Sequence, residues 1–403
     1  MSIKNDFKPD PEEHPPCYRT LMKIGFSGYF LCHPHTGIGQ YSRNLLRELA
    51  TQNPEIQWKI PVPRSVDFLD LPSALQIEIL PEKKWPTASL RKWFWEQFQV
   101  PAYFKKHRVD LAHYPYPANP RWGNFPFKTL VTVHDTIPWQ RPEYRRHLRS
   151  RLYQDNALKA LLRADHLIAV SQTTADELQS IIIPSSGVAT PPLSIIHEAA
   201  DPVFNPKIQA NKAPRPYFLY VGGYDPRKNV ASLLEAYRRH IQPLHEVDLV
   251  LVGKDFEKQE NLDHPEMASY RQFLQEFASH PRVHRLGFLP NEDLVAVMNL
   301  ADVLLLPSFY EGFGLTILEA QACGTSVVTA NISSVPEVAG DGAILVNPHS
   351  VNEISKAIRM IIESEDQRTK LVKAGFKNVS CFSWENTAKD TIKVYENIIS
   401  RGS

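Results

Sequence analysis

Short apolar runs, separated by longer stretches of mixed polarity, recur along the whole chain and predict buried parallel strands. In the first half they cover 23–29, 111–113, 129–133 and 166–170, and in the second half 217–221, 248–252, 283–286, 303–306, 326–329 and 343–346. Helical periodicity follows several of these runs, at about 42–49, 151–163 and 384–399, and Ser171 is placed to cap a further helix. Alternation of this kind predicts an α/β fold with parallel, doubly wound sheets.

A change in composition divides the chain. Residues 201–216 are rich in Pro, Asn and Lys, which is typical of a linker, and 403 residues are enough for two domains. The predicted organisation is a flexible tail at 1–20, an N-terminal domain at 21–200, a linker at 201–216, a C-terminal domain at 217–382 and a last helix at 383–403.

The most informative stretch is the strand–turn–helix–strand unit that begins at Val303. Its polar, glycine-rich turn follows the carboxyl end of a strand, where open α/β sheets bind ligands. Gly312 and Gly314 allow backbone N–H groups to approach an anion at the N-terminus of the helix, which ends before Gly324. Carboxylates flank this site and are suited to accept hydrogen bonds from hydroxyls such as those of sugars. They belong to Glu311 and Glu319.

These residues resemble the paired-glutamate motif of the retaining glycosyltransferases of family 4. The match consists of E-G-F-G-L from Glu311, E-A-Q-A-C-G-T from Glu319 and S-S-V-P-E-V-A-G from Ser333. The resemblance implies the GT-B fold, in which two Rossmann-like domains face each other across a cleft and the last helix returns to the N-terminal domain. It also implies that Glu311 contacts the donor sugar and Glu319 the nucleotide ribose. The donor diphosphate would lie on the turn residues Gly312, Phe313, Gly314, Leu315 and Thr316.

A basic turn follows the first strand of the second half, in Y-V-G-G-Y-D-P-R-K-N. Arg227 and Lys228 are placed to stabilise a leaving diphosphate, with Gly222 and Gly223 lining the donor site. Many members of the resembled family carry an arginine where this chain has Gly223. Arg227 is therefore expected to supply the missing cation, and a solvated basic turn is the alternative.

Three further segments are candidates for the cleft. His134 and Asp135 lie at the end of a strand, and the resemblance puts the histidine near the reacting centre, whereas a structural role for Asp135 stays open. Gly37 and Gly39 do not complete a dinucleotide fingerprint, because a third glycine is missing. They are expected near the diphosphate or simply in a turn. The segment around Leu286 is expected to line the base through its backbone.

Composition and motif content argue against several classes of function. The net charge of +1 gives no general attraction to nucleic acid, and 4 widely spaced cysteines give no zinc or redox motif. An Asp-x-Asp motif near a strand end is also missing, so neither a metal nor another cofactor is expected. The N-terminus has no apolar signal core and no run reaches the roughly 18 residues of a membrane span. We therefore expect a cytoplasmic protein.

Two basic segments that also carry aromatic or apolar residues begin at Arg91 and Arg145. Each could contact an anionic membrane surface at the inner face of the membrane, because many enzymes of the resembled family use lipid-linked acceptors. Core packing is the alternative for the first segment, and a solvated surface is the alternative for the second.

The sequence thus predicts a retaining hexosyltransferase of polysaccharide synthesis that uses a nucleotide diphosphate sugar and a glycan or lipid-linked acceptor. Mannose from GDP-mannose is the first donor, because the motifs most resemble mannosyltransferases of this family. A transferase that uses UDP-glucose or another UDP-sugar, a GT-B enzyme without transfer such as a nucleotide-sugar epimerase, and a silent sugar-binding protein stay open. The acceptor, its linkage and the oligomeric state are not encoded in any motif.

Overall fold

The computed structural model describes residues 22–65, 71–140, 148–186, 190–206, 216–241, 247–257, 271–272, 275 and 280–401. The predicted tail at 1–20 and most of the predicted linker lie outside these residues. Every strand pair in the described part is parallel, and the strands form two sheets, which confirms the doubly wound α/β class.

The first sheet contains seven strands in the order β3-β2-β1-β4-β5-β6-β7. The strands are β1 Lys23–Phe26, β2 Gln57–Val62, β3 Ile77–Ile79, β4 Leu111–Tyr114, β5 Lys128–Val133, β6 His166–Ala169 and β7 Leu193–Ile195. The helices are α1 Gly37–Gln52, α2 Ala88–Phe94, α3 Val100–His107, α4 Ile137–Gln140, α5 Leu148–Leu161 and α6 Gln172–Ser186, with a π-helical turn at Trp95–Gln99. Apolar side chains on both faces of this sheet form its core.

The second sheet contains six strands in the order β10-β9-β8-β11-β12-β13. The strands are β8 Tyr217–Val221, β9 Asp248–Val252, β10 Val283–Gly287, β11 Val303–Leu306, β12 Ser326–Ala330 and β13 Ala343–Val346. The helices are α7 Val230–Ala236, α8 Asn291–Leu300, α9 Leu315–Ala322, α10 Val335–Ala339, α11 Val351–Glu363 and α12 Glu365–Val379. Strand β8 lies centrally, so the segments after β8 and β11 meet at one edge of the sheet.

The last helix, α13 at Trp384–Ser400, packs on the first sheet although it follows the second in sequence. The Trp384 indole N–H donates to the Ala200 carbonyl at 3.2 Å, and the Tyr395 hydroxyl lies 2.7 Å from Nδ1 of His113. Both side chains are buried in the first domain's core. The chain therefore crosses between the domains twice.

Local expectations differ from the structure in three places. Strand β1 was predicted over 23–29 but ends at Phe26, because the chain turns there into a 3₁₀ helix at Tyr29–Cys32. Strands β2, β3 and β7 were not predicted, because β2 contains Pro61 and the other two are three-residue edge strands with little apolar pattern. Helix α1 begins at Gly37 rather than near residue 42, so Gly37 and Gly39 lie in its first turn. The Thr36 side chain caps this turn by accepting a hydrogen bond from the Gly39 N–H at 3.1 Å.

Candidate active site

A cleft of about 670 Å³ opens at the carboxyl ends of the strands of both sheets. Its first-domain wall comes from the start of α1 and the segment after β5, and its second-domain wall from the segments after β8, β9, β10 and β11. Of the residues predicted from the sequence, the cleft is lined by Gly37, His134, Asp135, Gly222, Gly223, Arg227, Lys228, Glu311, Gly312, Phe313, Gly314, Leu315, Thr316 and Glu319.

Two predicted residues do not line this cleft. A Cβ at Gly39 would lie 2.1 Å from the His33 carbonyl oxygen, so this glycine allows a loop to pack against α1. Leu286 points partly to solvent, with 43% of its surface exposed, whereas Phe288 and Leu289 just beyond it do line the cleft.

The glycine-rich turn presents backbone donors. Within the described residues, no protein acceptor is bonded to the N–H groups of residues 312–316, which lead into α9. The three carbonyls of the turn are occupied: Ser333 and Ser334 donate to the Glu311 oxygen at 2.6 and 2.8 Å, and Ser334 also bonds the Phe313 oxygen at 2.9 Å. Hydroxyls of Ser171 and Thr174 bond the Gly312 oxygen. Unpaired N–H groups at a helix start form an anion site.

Gly314 adopts a left-handed conformation, with φ of 106°, which favours glycine at this helix start. Gly312 is required for a different reason, because a Cβ there would lie 1.9 Å from the His134 carbonyl oxygen of the first domain. The Phe313 ring packs in an apolar cluster with Val170 and Leu318. The turn is thus docked directly on the first domain.

Glu311 lies buried beside both cations of the basic turn. Lys228 Nζ lies 2.6 and 2.9 Å from its carboxylate oxygens, Arg227 Nη1 lies 3.3 Å from Oε2, and Ser308 donates to Oε1 at 2.7 Å. Burial raises the pKa of Glu311, but the charges of Lys228 and Arg227 outweigh it, so this pKa lies below its ordinary value. The carboxylate is therefore ionised at neutral pH.

Glu319 has the opposite electrostatic surroundings. Burial, together with the nearby carboxylates of Asp201 and Glu198, raises the pKa of Glu319 to about 8, although Lys228 opposes the shift. Within the described residues no protein group forms a hydrogen bond to its side-chain oxygens. A buried carboxyl group that faces a cleft without protein donors is suited to accept hydrogen bonds from a ligand.

His134 uses both ring nitrogens inside the protein. Nδ1 lies 2.7 Å from a Glu198 oxygen and Nε2 lies 2.9 Å from the Pro115 carbonyl. Burial lowers the pKa of His134, but the bond to Glu198 outweighs it and raises this pKa. Both contacts favour the protonated ring, whose charge is then paired with the Glu198 carboxylate. Both ring nitrogens are already engaged at the positions where the ring could exchange a proton.

Asp135 follows His134 in the chain and lies against the glycine-rich turn. Its Oδ1 accepts a hydrogen bond from the Ile137 N–H at 3.1 Å, and its Cβ is 2.9 Å from the position of a Cβ at Gly312. Burial raises the pKa of Asp135, and Arg227 and His134 partly offset that rise. Asp135 thus caps the turn that leads to Ile137, and it also lines the cleft. The sequence left a structural role for Asp135 open, and its hydrogen bond fits that role.

The space at Gly223 is partly taken by a carboxylate. A Cβ at Gly223 would lie 2.7 Å from Oδ2 of Asp255, which accepts a hydrogen bond from the Tyr224 N–H at 2.6 Å. The neighbouring Lys254 also lines the cleft, and its ammonium lies 5.1 Å from the centre of the Phe288 ring. Sequence reasoning missed Lys254 and Asp255, because an exposed turn after β9 carries no motif.

The remaining sequence predictions concern the two basic segments, metal binding and membrane-spanning helices. The segment from Arg91 buries Trp95 and Phe104 in the core, but it leaves Phe98 exposed. The first three residues of the charged run from Arg145 lie outside the described residues, and the rest of the run begins α5 at Leu148–Leu161. In the described part of the chain, no group of three His, Cys, Asp or Glu side chains could hold a metal ion. No helix there is both long and apolar enough to cross a bilayer.

Two family models match the chain, one described as Glycosyltransferase Family 4 over residues 35–195 and one as Glycosyl transferases group 1 over residues 204–378. O-antigen chain mannosyltransferase B of Escherichia coli is 28% identical over 407 residues, which cover 93% of this chain and 100% of that protein. The serotype-specific mannosyltransferase WbdA of Escherichia coli is 30% identical over 285 residues, which cover 68% of this chain. That match includes 34% of WbdA, so the chain spans about a third of its length.

Among solved structures, sucrose-phosphate synthase from Thermosynechococcus elongatus has a TM-score of 0.76 and 23% sequence identity. The match covers 94% of this chain and 100% of that one. This likeness is one of fold, and it confirms the predicted arrangement of two Rossmann-like domains across a cleft.

Proposed function

The chain belongs to the family 4 glycosyltransferases of the GT-B fold, and from this we propose that it transfers mannose from GDP-mannose to a glycan or lipid-linked acceptor with retention at the anomeric carbon. The O-antigen and serotype-specific mannosyltransferases that it resembles support both the sugar and a place in polysaccharide synthesis.

The observation that carries this proposal is the row of N–H groups at 312–316 between Glu311 and Glu319. Backbone donors at a helix start fit the diphosphate, and the two carboxylates fit hydroxyls on either side of it. Glu311 would bond the donor sugar, and Glu319, to which no described residue donates a hydrogen bond, would bond the ribose.

Leaving-group stabilisation would supply much of the rate enhancement. The bond between the anomeric carbon and the β-phosphate oxygen breaks while the acceptor oxygen bonds that carbon on the same face. The acceptor proton passes to the departing phosphate oxygen. Lys228, Arg227 and the loop N–H groups stabilise the charge that grows on the diphosphate. This front-face route, implied by the family, requires no protein nucleophile.

The choice of donor is tested most directly by binding. A ligand that binds only the folded state raises the melting temperature. We expect GDP and GDP-mannose to raise it at concentrations where UDP, ADP and their sugars do not. A selective shift with UDP and UDP-glucose would replace GDP-mannose by the second candidate, a UDP-sugar donor, and would leave the transfer proposal intact.

The reaction itself is tested by the fate of the donor sugar. With the preferred donor, slow hydrolysis or transfer to an added glycan should release a sugar whose anomeric configuration is retained. An epimerised nucleotide sugar would favour the epimerase alternative, and a bound but unreacted donor would favour a sugar-binding protein. Inversion at the anomeric carbon would contradict the front-face route.

The proposed partner on the acceptor side is an anionic membrane surface. Exposed rings of Phe98 and Trp122 stack with centroids 6.3 Å apart, and the Arg121 guanidinium lies 5.0 Å from the Trp122 ring centre. Aromatic rings flanked by cations suit the interface of an anionic bilayer. Sedimentation with phosphatidylglycerol vesicles should be stronger than with phosphatidylcholine vesicles, and F98S/W122S should weaken it. Equal binding to both vesicle types would contradict the charge argument.

A further inference from the structure

The first turn of α6 in the first domain lies against the glycine-rich turn of the second domain. Ser171 Oγ accepts a hydrogen bond from the Thr174 N–H at 3.1 Å, as the sequence predicted for a helix cap, and also donates to the Gly312 oxygen at 2.8 Å. Thr174 Oγ1 lies 3.2 Å from the same oxygen. Both side chains are fully buried. Two hydroxyls of one domain therefore hold a single carbonyl of the other.

The geometry of a trans peptide gives this contact a consequence. Its C=O and N–H point in opposite directions, so fixing one fixes the other. Ser333 and Ser334 hold the Glu311 carbonyl and Ser334 holds the Phe313 carbonyl, which orients the N–H groups of residues 312 and 314. All of these groups belong to the second domain.

The peptide between Gly312 and Phe313 differs from the peptides on either side in the domain that holds its carbonyl. Among the described residues, the hydroxyls that hold the Gly312 carbonyl, and so orient the Phe313 N–H, come from Ser171 and Thr174 of the first domain. The contact is tight, because a Cβ at Gly312 would lie 1.9 Å from the His134 carbonyl oxygen. One of three successive backbone donors is thus set from across the domain boundary.

We propose that Ser171 and Thr174 are positioning residues that aim the Phe313 N–H at the β-phosphate of the donor, so that the diphosphate site is complete only while the two domains are docked. This inference rests on the proposed function, in which the turn binds a nucleotide diphosphate. It predicts that a change in the first domain alters binding of the β-phosphate without touching the ligand.

A matched pair at Ser171 separates capping from positioning. Asn and Asp are equally good helix caps and nearly equal in size, but only the Asn amide can donate to the Gly312 carbonyl. S171D should lower turnover on the order of 10²-fold, as the loss of one oxyanion donor does. S171N should retain most of the turnover. At Thr174, T174V should resemble S171D and T174S should resemble the wild type.

Binding supplies a readout besides activity. The difference in affinity between GDP and GMP measures the contact with the β-phosphate. If the wild type selects uridine, UDP and UMP are used in their place. Calorimetry should show this gain reduced about tenfold or more in S171D and T174V, with monophosphate affinity unchanged, as when one charge-assisted hydrogen bond is lost. Y310F is the control for docking in general. It removes the Tyr310 hydroxyl, which lies 2.6 Å from a Glu177 oxygen across the same boundary and holds no turn carbonyl.

The outcomes are distinct. A wild type that neither binds a nucleotide nor transfers a sugar overturns the proposed function. An active wild type with the same gain in S171D and S171N overturns the positioning role alone. If Y310F loses as much of the diphosphate gain as S171D, the effect belongs to domain docking in general, and the specific role of the two hydroxyls is wrong.

Discussion

Partly buried Lys228 and buried Glu311 form an ion pair in which the ammonium lies 2.6 and 2.9 Å from the two carboxylate oxygens. From the sequence, Lys228 was expected to stabilise the leaving diphosphate and Glu311 to contact the donor sugar. No motif indicated that the two side chains contact each other. Their contact means that the cation is held at the cleft before a donor arrives. Preorganised charge of this kind stabilises a transition state without further rearrangement.

We expect E311Q to reduce turnover far more than it weakens nucleotide binding. The amide keeps the size of the side chain but cannot accept two charge-assisted bonds from the donor sugar, each worth about 1.5–3 kcal/mol. Turnover should fall at least tenfold, and the dissociation constant of GDP should change little. Steady-state kinetics and calorimetry on the same preparation measure both quantities. Parallel losses of affinity and turnover would contradict the sugar-contact role.

K228M should lower turnover on the order of 10²-fold and should also change its pH dependence. Burial then raises the pKa of Glu311 with only Arg227 and the Ser308 hydrogen bond to oppose it, whereas in the wild type Lys228 adds the largest opposing charge. The acid limb of the pH–rate profile should therefore move to higher pH in the variant. A profile that falls uniformly, without this movement, would show that Glu311 keeps its charge without Lys228.

Glu319 should release a proton when the nucleotide binds. The pKa of Glu319 is raised to about 8, mainly by burial, so the free protein holds it largely protonated at pH 7. Ribose hydroxyls that donate to the carboxylate favour its charged form and lower this pKa. Calorimetry of GDP binding in buffers with different ionisation enthalpies should detect the released proton. E319Q should bind GDP more weakly and release none.

The raised pKa of Glu319 also predicts how the free energy of unfolding depends on pH. This prediction serves as the control for the proton-release experiment. Because the folded pKa is above the ordinary value of 4.5, the stabilisation is complete below about pH 4.5 and is lost as pH rises through about 8. The free energy of unfolding of the ligand-free protein should fall over this interval. E319Q should remove the share of Glu319 and leave the shares of other carboxyl groups with a raised pKa, such as Asp135. An identical pH dependence in both proteins would place the proton elsewhere.

Full activity in EDTA, with no gain on adding magnesium or manganese, is the next expectation. Lys228, Arg227 and the N–H groups at 312–316 are the proposed neutralising groups for the diphosphate, so a divalent cation is not needed for charge balance. Turnover before and after chelation measures this directly. A strict metal requirement would show that the charge of the diphosphate is neutralised in another way.

The sequence predicted the local units of the fold better than their contacts. Strands β8, β9, β11 and β13 have the predicted limits, because a buried parallel strand is a continuous apolar run. The three missed strands have no such run. The cleft residues around Glu311 were found because glycine and carboxylate spacing along one turn is visible in sequence.

Contacts between distant segments were not predictable in the same way. Nothing in the local pattern of Ser171 indicates that its hydroxyl bonds Gly312, 141 positions later, as well as capping its helix. Asp255 likewise reaches the position of Gly223 only because β8 and β9 are neighbours in the sheet. Such pairings are set by tertiary packing, which one sequence does not spell out.

The last prediction concerns the arginine that this chain lacks at Gly223. If Arg227 has taken over that role, R227A should lower turnover on the order of 10²-fold, and an arginine restored at Gly223 should rescue it. The structure changes the expected extent of rescue. Because Oδ2 of Asp255 lies 2.7 Å from the position of the new Cβ, closer than real contacts allow, an arginine at Gly223 must displace that carboxylate. We expect the displaced carboxylate to compete with the diphosphate for the guanidinium.

G223R in the R227A background should therefore recover little, whereas adding D255N should recover about tenfold in turnover. The asparagine keeps the size of Asp255 and must shift in the same way, but it carries no charge and no longer competes for the cation. G223A measures the cost of a side chain at this turn, and D255N alone measures the effect of removing the carboxylate. If R227A turns over like the wild type, Arg227 acts only through contacts within the protein, such as those with Asp225, Glu311 and the Tyr310 carbonyl. In that case Lys228 and the loop N–H groups neutralise the diphosphate.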